Sequence, residues 1–394
     1  MSQDIDTILS TLRTEADPEL AGLFYEFEDF YEQKLWHQLT ERLDVFFHDE
    51  RSLPLRLRVY DTFVSKFQDK INQLKLTNFL LLSLKDNSES QDALDYLTDL
   101  QKSFQEMDKK KQRNDGLKSH YSGILLIDIE IARIYLGQGD LVKARDSLDE
   151  IETTLEVQDS LPLQVTSAFY STSAEYYLAK KDFNSFYYTS LLYLSTAETL
   201  KSYHELSPVK RQQLAYNLCI AALLGDKIYN LGELLNHPIM ESISSDPQYE
   251  WMSQFLQTLS NGDFDQFDKL SKERVPHVPI LSAHESFLRQ KICLMTLVES
   301  VFVKNIRTLS FDDIASATHL PKDNVEHLVM RSISLGLLKG SIDQVNELVT
   351  VAWVQPRIIN GDQINKMKQR LVEWNEEVSS LGKKIEARGK SIWV

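Results

Sequence analysis

Cysteine is close to absent. Two thiols in 394 residues, Cys219 and Cys293, exclude a disulfide scaffold and leave no Cys-x-x-Cys pair for zinc or redox chemistry. Both lie in apolar, helix-patterned stretches and are expected to be reduced and buried. Glycine (13) and proline (10) are scarce as well, and a β-rich fold needs such turn residues at every hairpin, so helices are expected throughout. Positive charge is in deficit: 43 Lys and Arg face 58 Asp and Glu, a net charge of −15. A protein that works on DNA, RNA or anionic lipid needs clustered cations, so neither nucleic acid nor a membrane is an expected partner. The uncharged run 183–197, which no other run exceeds in length, is too short for a bilayer and is broken by Asn184, Ser185, Thr189 and Ser190. The opening Met1-Ser-Gln-Asp-Ile-Asp6 is acidic and polar, unlike a secretory or mitochondrial leader. The expectation is a soluble protein of the cytoplasm, the nucleus or both.

Catalytic signatures are missing too. No His-Glu-x-x-His, Walker-type Gly-x-x-x-x-Gly-Lys or Gly-x-Ser-x-Gly occurs, and Gly137-Gln-Gly139 follows a helix rather than a strand. The histidines show no metal-ligand spacing, and His319 and His327 stand on either side of a turn, as surface or interface residues do. No catalytic, cofactor-binding or metal-binding residue is assigned, and no enzyme activity is expected.

What remains, 42% hydrophobic and 26% charged, is ordinary globular composition. In 1–110 the apolar residues fall at helical spacing: Ile5, Ile8, Leu9 and Leu12; then Leu23, Phe24, Phe27, Phe30 and Tyr31; then Leu35, Leu39, Leu43, Phe46 and Phe47. Leu55, Val59, Phe63, Phe67 and Ile71 repeat every four residues across another helical stretch. Further on, Gly139-Asp-Leu141, Lys181-Asp-Phe183, Gly225-Asp-Lys-Ile228 and Gly262-Asp-Phe264 punctuate the chain at roughly forty-residue intervals, the period of helical-hairpin repeats. Each Asp is expected to cap the second helix of its hairpin, and the hairpins to stack as a solenoid. The dense basic run Lys109-Lys-Lys-Gln-Arg113 reads as a solvated helix end; the alternative is a contact for phosphate or an acidic surface, or an import signal.

From Phe287 to Pro356 the order is helix, short strand, helix, turn, helix and hairpin, which is that of a winged helix. Ser310 precedes the helix Phe311–Ala317 as its cap, with Asp313 three residues on, and the helix that begins at Lys322 stops at Gly336, where glycine takes a left-handed conformation without strain. Two β-prone runs, 338–342 and 347–351, flank the tip 343–346. A DNA reader would need cations on its third helix, but Lys322, Asp323, Glu326, His327 and Arg331 nearly balance, and Asp343 and Glu347 put negative charge on the wing. The module is therefore read as a protein–protein one, with the hairpin edge open to side-by-side packing or strand addition. Its candidate contact residues are Ile342, Asp343, Gln344, Leu348 and Thr350, and proline at Thr350 is expected to probe the edge.

The last segment carries Ile364, Met367, Leu371, Trp374, Val378, Leu381 and Ile385 at alternating spacings of three and four. A 3.5-residue repeat makes a narrow straight seam, the pattern of a bundle or coiled-coil helix, so these seven are candidate partner contacts; the alternative is a helix folded back on its own chain.

Repeats running into a winged helix and then a bundle helix resemble the PCI-domain family of scaffold subunits, found in the proteasome lid, the COP9 signalosome and translation initiation factor three. The resemblance rests on Ile314 to Leu320, Val325 to Gly336 and the wing Gly340-Ser-Ile-Asp-Gln344. The stretches 6–10, 210–215, 284–295 and 386–394 extend it over nearly the whole chain and point to the proteasome lid. The fold it implies is mostly α: a helical-hairpin solenoid over 1–275, whose second half is the helical part of the PCI domain, a winged helix over 276–356, and a bundle helix over 357–394. It also implies a hetero-oligomeric scaffold without catalysis or cofactor, lined up winged helix to winged helix with other PCI subunits of the lid. MPN-domain subunits, one of them the deubiquitinase, join through the helical bundle. The role implied is lid assembly, and so ubiquitin-dependent protein degradation. The alternative within the family is the same role in the signalosome or the initiation factor.

Overall fold

The computed structural model describes residues 2–84, 90–115, 120–157, 161–199, 207–244, 246–247, 249–304, 308–355 and 361–389. The chain divides into two compact units, Met1–Glu205 and Leu206–Val394.

The first unit holds ten α-helices among its described residues: α1 (Ser2–Glu15), α2 (Ala21–Glu32), α3 (Trp36–His48), α4 (Arg56–Thr62), α5 (Gln73–Leu84), α6 (Ser90–Asp115), α7 (Tyr121–Gln138), α8 (Leu141–Val157), α9 (Leu163–Lys180) and α10 (Phe183–Thr199). The side chains of the basic run beyond Lys109 lie outside the described residues. Aromatic rings run through the largely aliphatic core of α1–α6. Phe47 stacks on Phe79 at 4.8 Å between centroids, and Phe24, Phe27 and Phe46 meet edge to face.

The stripe Leu55–Ile71 is buried at all five positions but is not one helix. A 3-10 segment Glu50–Leu55 precedes α4, and a second, Val64–Lys70, is kinked at Phe67 (φ −130°). On an unbroken α-helix each four-residue step advances about 40°, so four steps would turn Ile71 about 160° away from Leu55. The breaks reset that drift and return every residue of the stripe to the same core.

One turn recurs three times. Gly139, Lys181 and Gly262 each adopt a left-handed conformation after their helix. Each donates its N–H three residues back, to Leu136, Leu178 and Leu259, and the following Asp donates to the carbonyl one residue earlier still, of Tyr135, Tyr177 and Thr258. The carboxylates of Asp140, Asp182 and Asp263 then accept from the N–H of Lys143, Ser185 and Gln266, at 3.2–3.3 Å. One device closes one helix and opens the next.

The fourth expected copy is different. Gly225 is extended (φ −67°, ψ 126°), and no helix begins after it until Gly232. Asp226 therefore caps nothing, because the left-handed residue that would turn the chain into a new helix is not there. In this second unit, α11 (Pro208–Leu224) leads to α12 (Gly232–Asn236), α13 (Ile239–Ser244), α14 (Glu250–Asn261), α15 (Phe264–Arg274), the short α16 (Pro279–Ser282) and α17 (Glu285–Lys304). Then come β1 (Thr308–Ser310), α18 (Phe311–Thr318), α19 (Lys322–Ser334), β2 (Leu338–Asp343), β3 (Leu348–Val354) and α20 (Gly361–Gly389). The strands form an antiparallel sheet in the order β1-β3-β2. The expected element order of the winged helix, from α17 to β3, is present. Among the described residues no helix is long and apolar enough to cross a membrane.

Candidate interaction surfaces

The winged helix is assembled from short local rules. Ser310 ends β1 and caps α18, its hydroxyl accepting from the Asp313 N–H at 3.2 Å and donating to the Asp313 carboxylate at 2.8 Å. His319 turns the chain left-handed (φ 54°), Pro321 presents α19, and Gly336 (φ 73°) closes it. At the wing tip Asp343 accepts from the N–H groups of Val345 and Asn346 and from the Asn346 amide, at 2.7–3.2 Å. Those donors, the Asn346 amide first, hold its carboxyl below the usual range. Asp343 thus shapes the tip itself, and the neighbouring Gln344 donates to Glu326 of α19.

Four of the five hairpin candidates lie on paired strands, Ile342 opposite Val349, Asp343 opposite Leu348 and Thr350 opposite Ser341, and Gln344 follows in the turn. Ile342 and Leu348 are half-buried; Asp343, Gln344 and Thr350 are exposed. Thr350, however, sits on the middle strand, paired with Thr308 on one side and Ser341 on the other. Proline there would break the sheet rather than probe an edge. The edge strands are β1 and β2, and the hairpin's own edge is the side of β2 away from β3, where no strand is paired among the described residues. Gly340 brings β2 against β3 so closely that an added Cβ would lie 2.2 Å from the Thr350 carbonyl oxygen.

The cation expected to lead α19 is already engaged. Lys322 Nζ lies 2.8 Å from Asp312 and 2.7 Å from Glu347, two carboxylates that push its pKa up to about 12. His319, in the turn before α19, packs at a tilt against the Phe264 ring and faces Asp265 of α15; His327 is exposed.

On α20 every described side chain is exposed. The seam residues Ile364, Met367, Leu371, Trp374, Val378, Leu381 and Ile385 are 49–65% exposed, so the described part of the chain does not cover them. Seven large apolar residues on one stripe of a helix form an uncovered ridge far beyond the scattered apolar exposure of ordinary surfaces.

Sequence reading missed Lys291. It lies in α17 and is 1% exposed. Its ammonium reaches the carbonyl oxygens of Ala222, Leu223 and Gly225 at 2.7, 3.2 and 2.8 Å, with the rings of Tyr229 and Phe287 at 5.4 and 5.9 Å. Burial pushes the amine down to about 7, opposed by the charge of Asp226. The signal was present: Lys291 stands three residues after the buried Leu288 and four before the buried Met295, on the inward face of its helix.

The thiols are placed as expected: Cys219 and Cys293 are free and buried, and burial pushes them up to about 12 and 11, far from a reactive thiolate at neutral pH. Among the described residues no group of three or more His, Cys, Asp or Glu could hold a metal ion.

The chain matches three family models and several known proteins. Residues 23–256 match the family of PSD13 N-terminal repeats, 261–353 match the PCI domain, and 357–389 match the family of the Rpn9 C-terminal helix. The chain is 67% identical to the 26S proteasome regulatory subunit RPN9 of Saccharomyces cerevisiae, over 100% of this chain and 99% of that protein. It is 38% identical to the probable 26S proteasome regulatory subunit rpn9 of Schizosaccharomyces pombe, over 100% of this chain and 99% of that one. With the 26S proteasome non-ATPase regulatory subunit 13 of Dictyostelium discoideum it shares 34% identity over 92% of both.

Proposed function

The chain belongs to the PCI-domain family of 26S proteasome regulatory subunits that includes RPN9 and non-ATPase subunit 13, and from that membership we propose that it is a non-catalytic scaffold of the regulatory particle lid. The observation that carries this reading is the uncovered seam of α20, the helix matched by a family description of its own. A ridge of this length costs solubility unless a partner covers it, and a strict heptad stripe suits a helical bundle.

Two docking surfaces serve the scaffold. The seam of α20 enters a bundle with helices of other lid subunits, MPN-domain subunits among them. The open edge of β2, with Ile342, Gln344 and Leu348 beside it, packs against the winged helix of a neighbouring PCI subunit, while Asp343 and Thr350 hold the tip and the sheet in shape. The working division is 1–275 for the repeats, 276–356 for the winged helix and 357–394 for the bundle helix. Catalysis is left to other subunits: the thiols are buried and raised, and Lys322 is held between two carboxylates. As a subunit of a particle that degrades ubiquitinated proteins, the chain is assigned in this reading to cytoplasm and nucleus.

Removal of residues 357–394 tests the proposal. The shortened chain is expected to fold, because nothing described along α20 is buried, yet to be lost from the particle when the lid is purified through another subunit. Recovery equal to that of the full chain would refute the role given to the seam.

A further inference from the structure

A helix leaves its last carbonyls without partners, and three turns of this protein solve that problem with a left-handed residue whose N–H, and the next one, fold back. α11 does not. Gly225 leaves its helix extended, and three carbonyls of this end, those of Ala222, Leu223 and Gly225, converge instead on one point. Two aromatic rings flank that point, and the helix dipole makes it negative. An ammonium has three N–H donors, one for each carbonyl. Charged or titratable groups acting here include Asp226, whose charge favours the ammonium, the Tyr229 hydroxyl, and Arg331, whose charge acts on Tyr229.

We propose that the C-terminal end of α11 is a built site for a monovalent ammonium-type cation, and that Lys291 of α17 is its resident ligand, clamping the first helix of the winged helix onto α11. A lysine present only to fill space would be replaceable by an apolar chain of the same length. A lysine filling a cation site is not, because removing it strands three buried carbonyls at once. The site goes beyond the scaffold role: it explains how the docking module is held, and it can be read in the free chain, so its failure would leave the proposed function standing.

The test is chemical rescue on the full chain at about pH 6.5, below the value of about 7 to which burial pushes this amine. Lys291→Ala empties the site, and methylammonium and tetramethylammonium chloride are compared at equal ionic strength. The second ion carries the same charge but no N–H donor. Amide exchange in the last turn of α11 and in α17 is expected to quicken at least about tenfold in Lys291→Ala, the equivalent of one lost charged hydrogen bond. Methylammonium should restore protection saturably and tetramethylammonium should not. Lys291→Met, which fills the space without a donor, should stay impaired with either ion. Equal effects of the two ions, or wild-type protection in Lys291→Met, would overturn the proposal. Should Lys291→Ala fold poorly, its folded yield with each ion makes the same comparison: a gain with methylammonium alone supports the site, and equal yields overturn it.

Discussion

Replacing Leu371 and Trp374 together with Asp separates docking from folding, because the two residues are 63% and 65% exposed in the free chain. Full burial of a large apolar side chain is worth about 1.5–3 kcal/mol. With roughly two thirds of that surface still open, docking gains about 1–2 kcal/mol at each, so truncation forfeits about 2–4 kcal/mol. Two carboxylates placed in a dry seam cost a further few kcal/mol unless water follows them. Affinity for the bundle should therefore fall by about a thousandfold or more. In the free chain the change is limited to helix propensity, about 1 kcal/mol over two exposed positions. The assay is recovery of the variant with lid subunits purified through another subunit, beside its thermal unfolding alone. A matched control, Gln369→Asp with Glu376→Asp, imposes the same propensity cost off the seam and should assemble. Normal incorporation of the seam variant, or equal loss in the control, would refute the reasoning.

The wing offers a check on sheet order: Thr350→Pro, on the middle strand, should unfold the winged helix and lower the melting temperature, and an intact fold would contradict the order β1-β3-β2. Gly340→Ala must push β2 off β3, since its Cβ would meet the Thr350 carbonyl, and should cost about 1–3 kcal/mol in denaturant unfolding. Asp263→Ala should cost about 1 kcal/mol as a lost helix cap, and unchanged stability in denaturant unfolding would contradict that role.

Most of the winged helix was legible because its signals are local: a serine before an apolar stripe, a glycine after one, alternation across a tip. The seam of α20 was legible for the same reason, since heptad spacing is a property of one helix. What escaped depends on distant partners. The Leu55–Ile71 stripe announces five core residues, but the kink at Phe67 is set by the packing that gathers them. Asp226 shares its neighbours with Asp140, Asp182 and Asp263, and only the backbone of Gly225 shows that no helix follows. The site at the end of α11 joins residues 66 to 69 positions apart, and no periodicity links a lysine to three backbone carbonyls that far away. Sheet order, which moves Thr350 from edge to centre, likewise rests on β1, a strand of three residues.

The claim that this protein acts by being held by others is tested most directly by photo-crosslinking in the assembled particle. A photoreactive residue at Leu371 and, separately, one at Ser341 should each yield adducts with other subunits, the first with helices of the bundle and the second with a neighbouring winged helix. Adducts formed only within the chain itself would contradict the account.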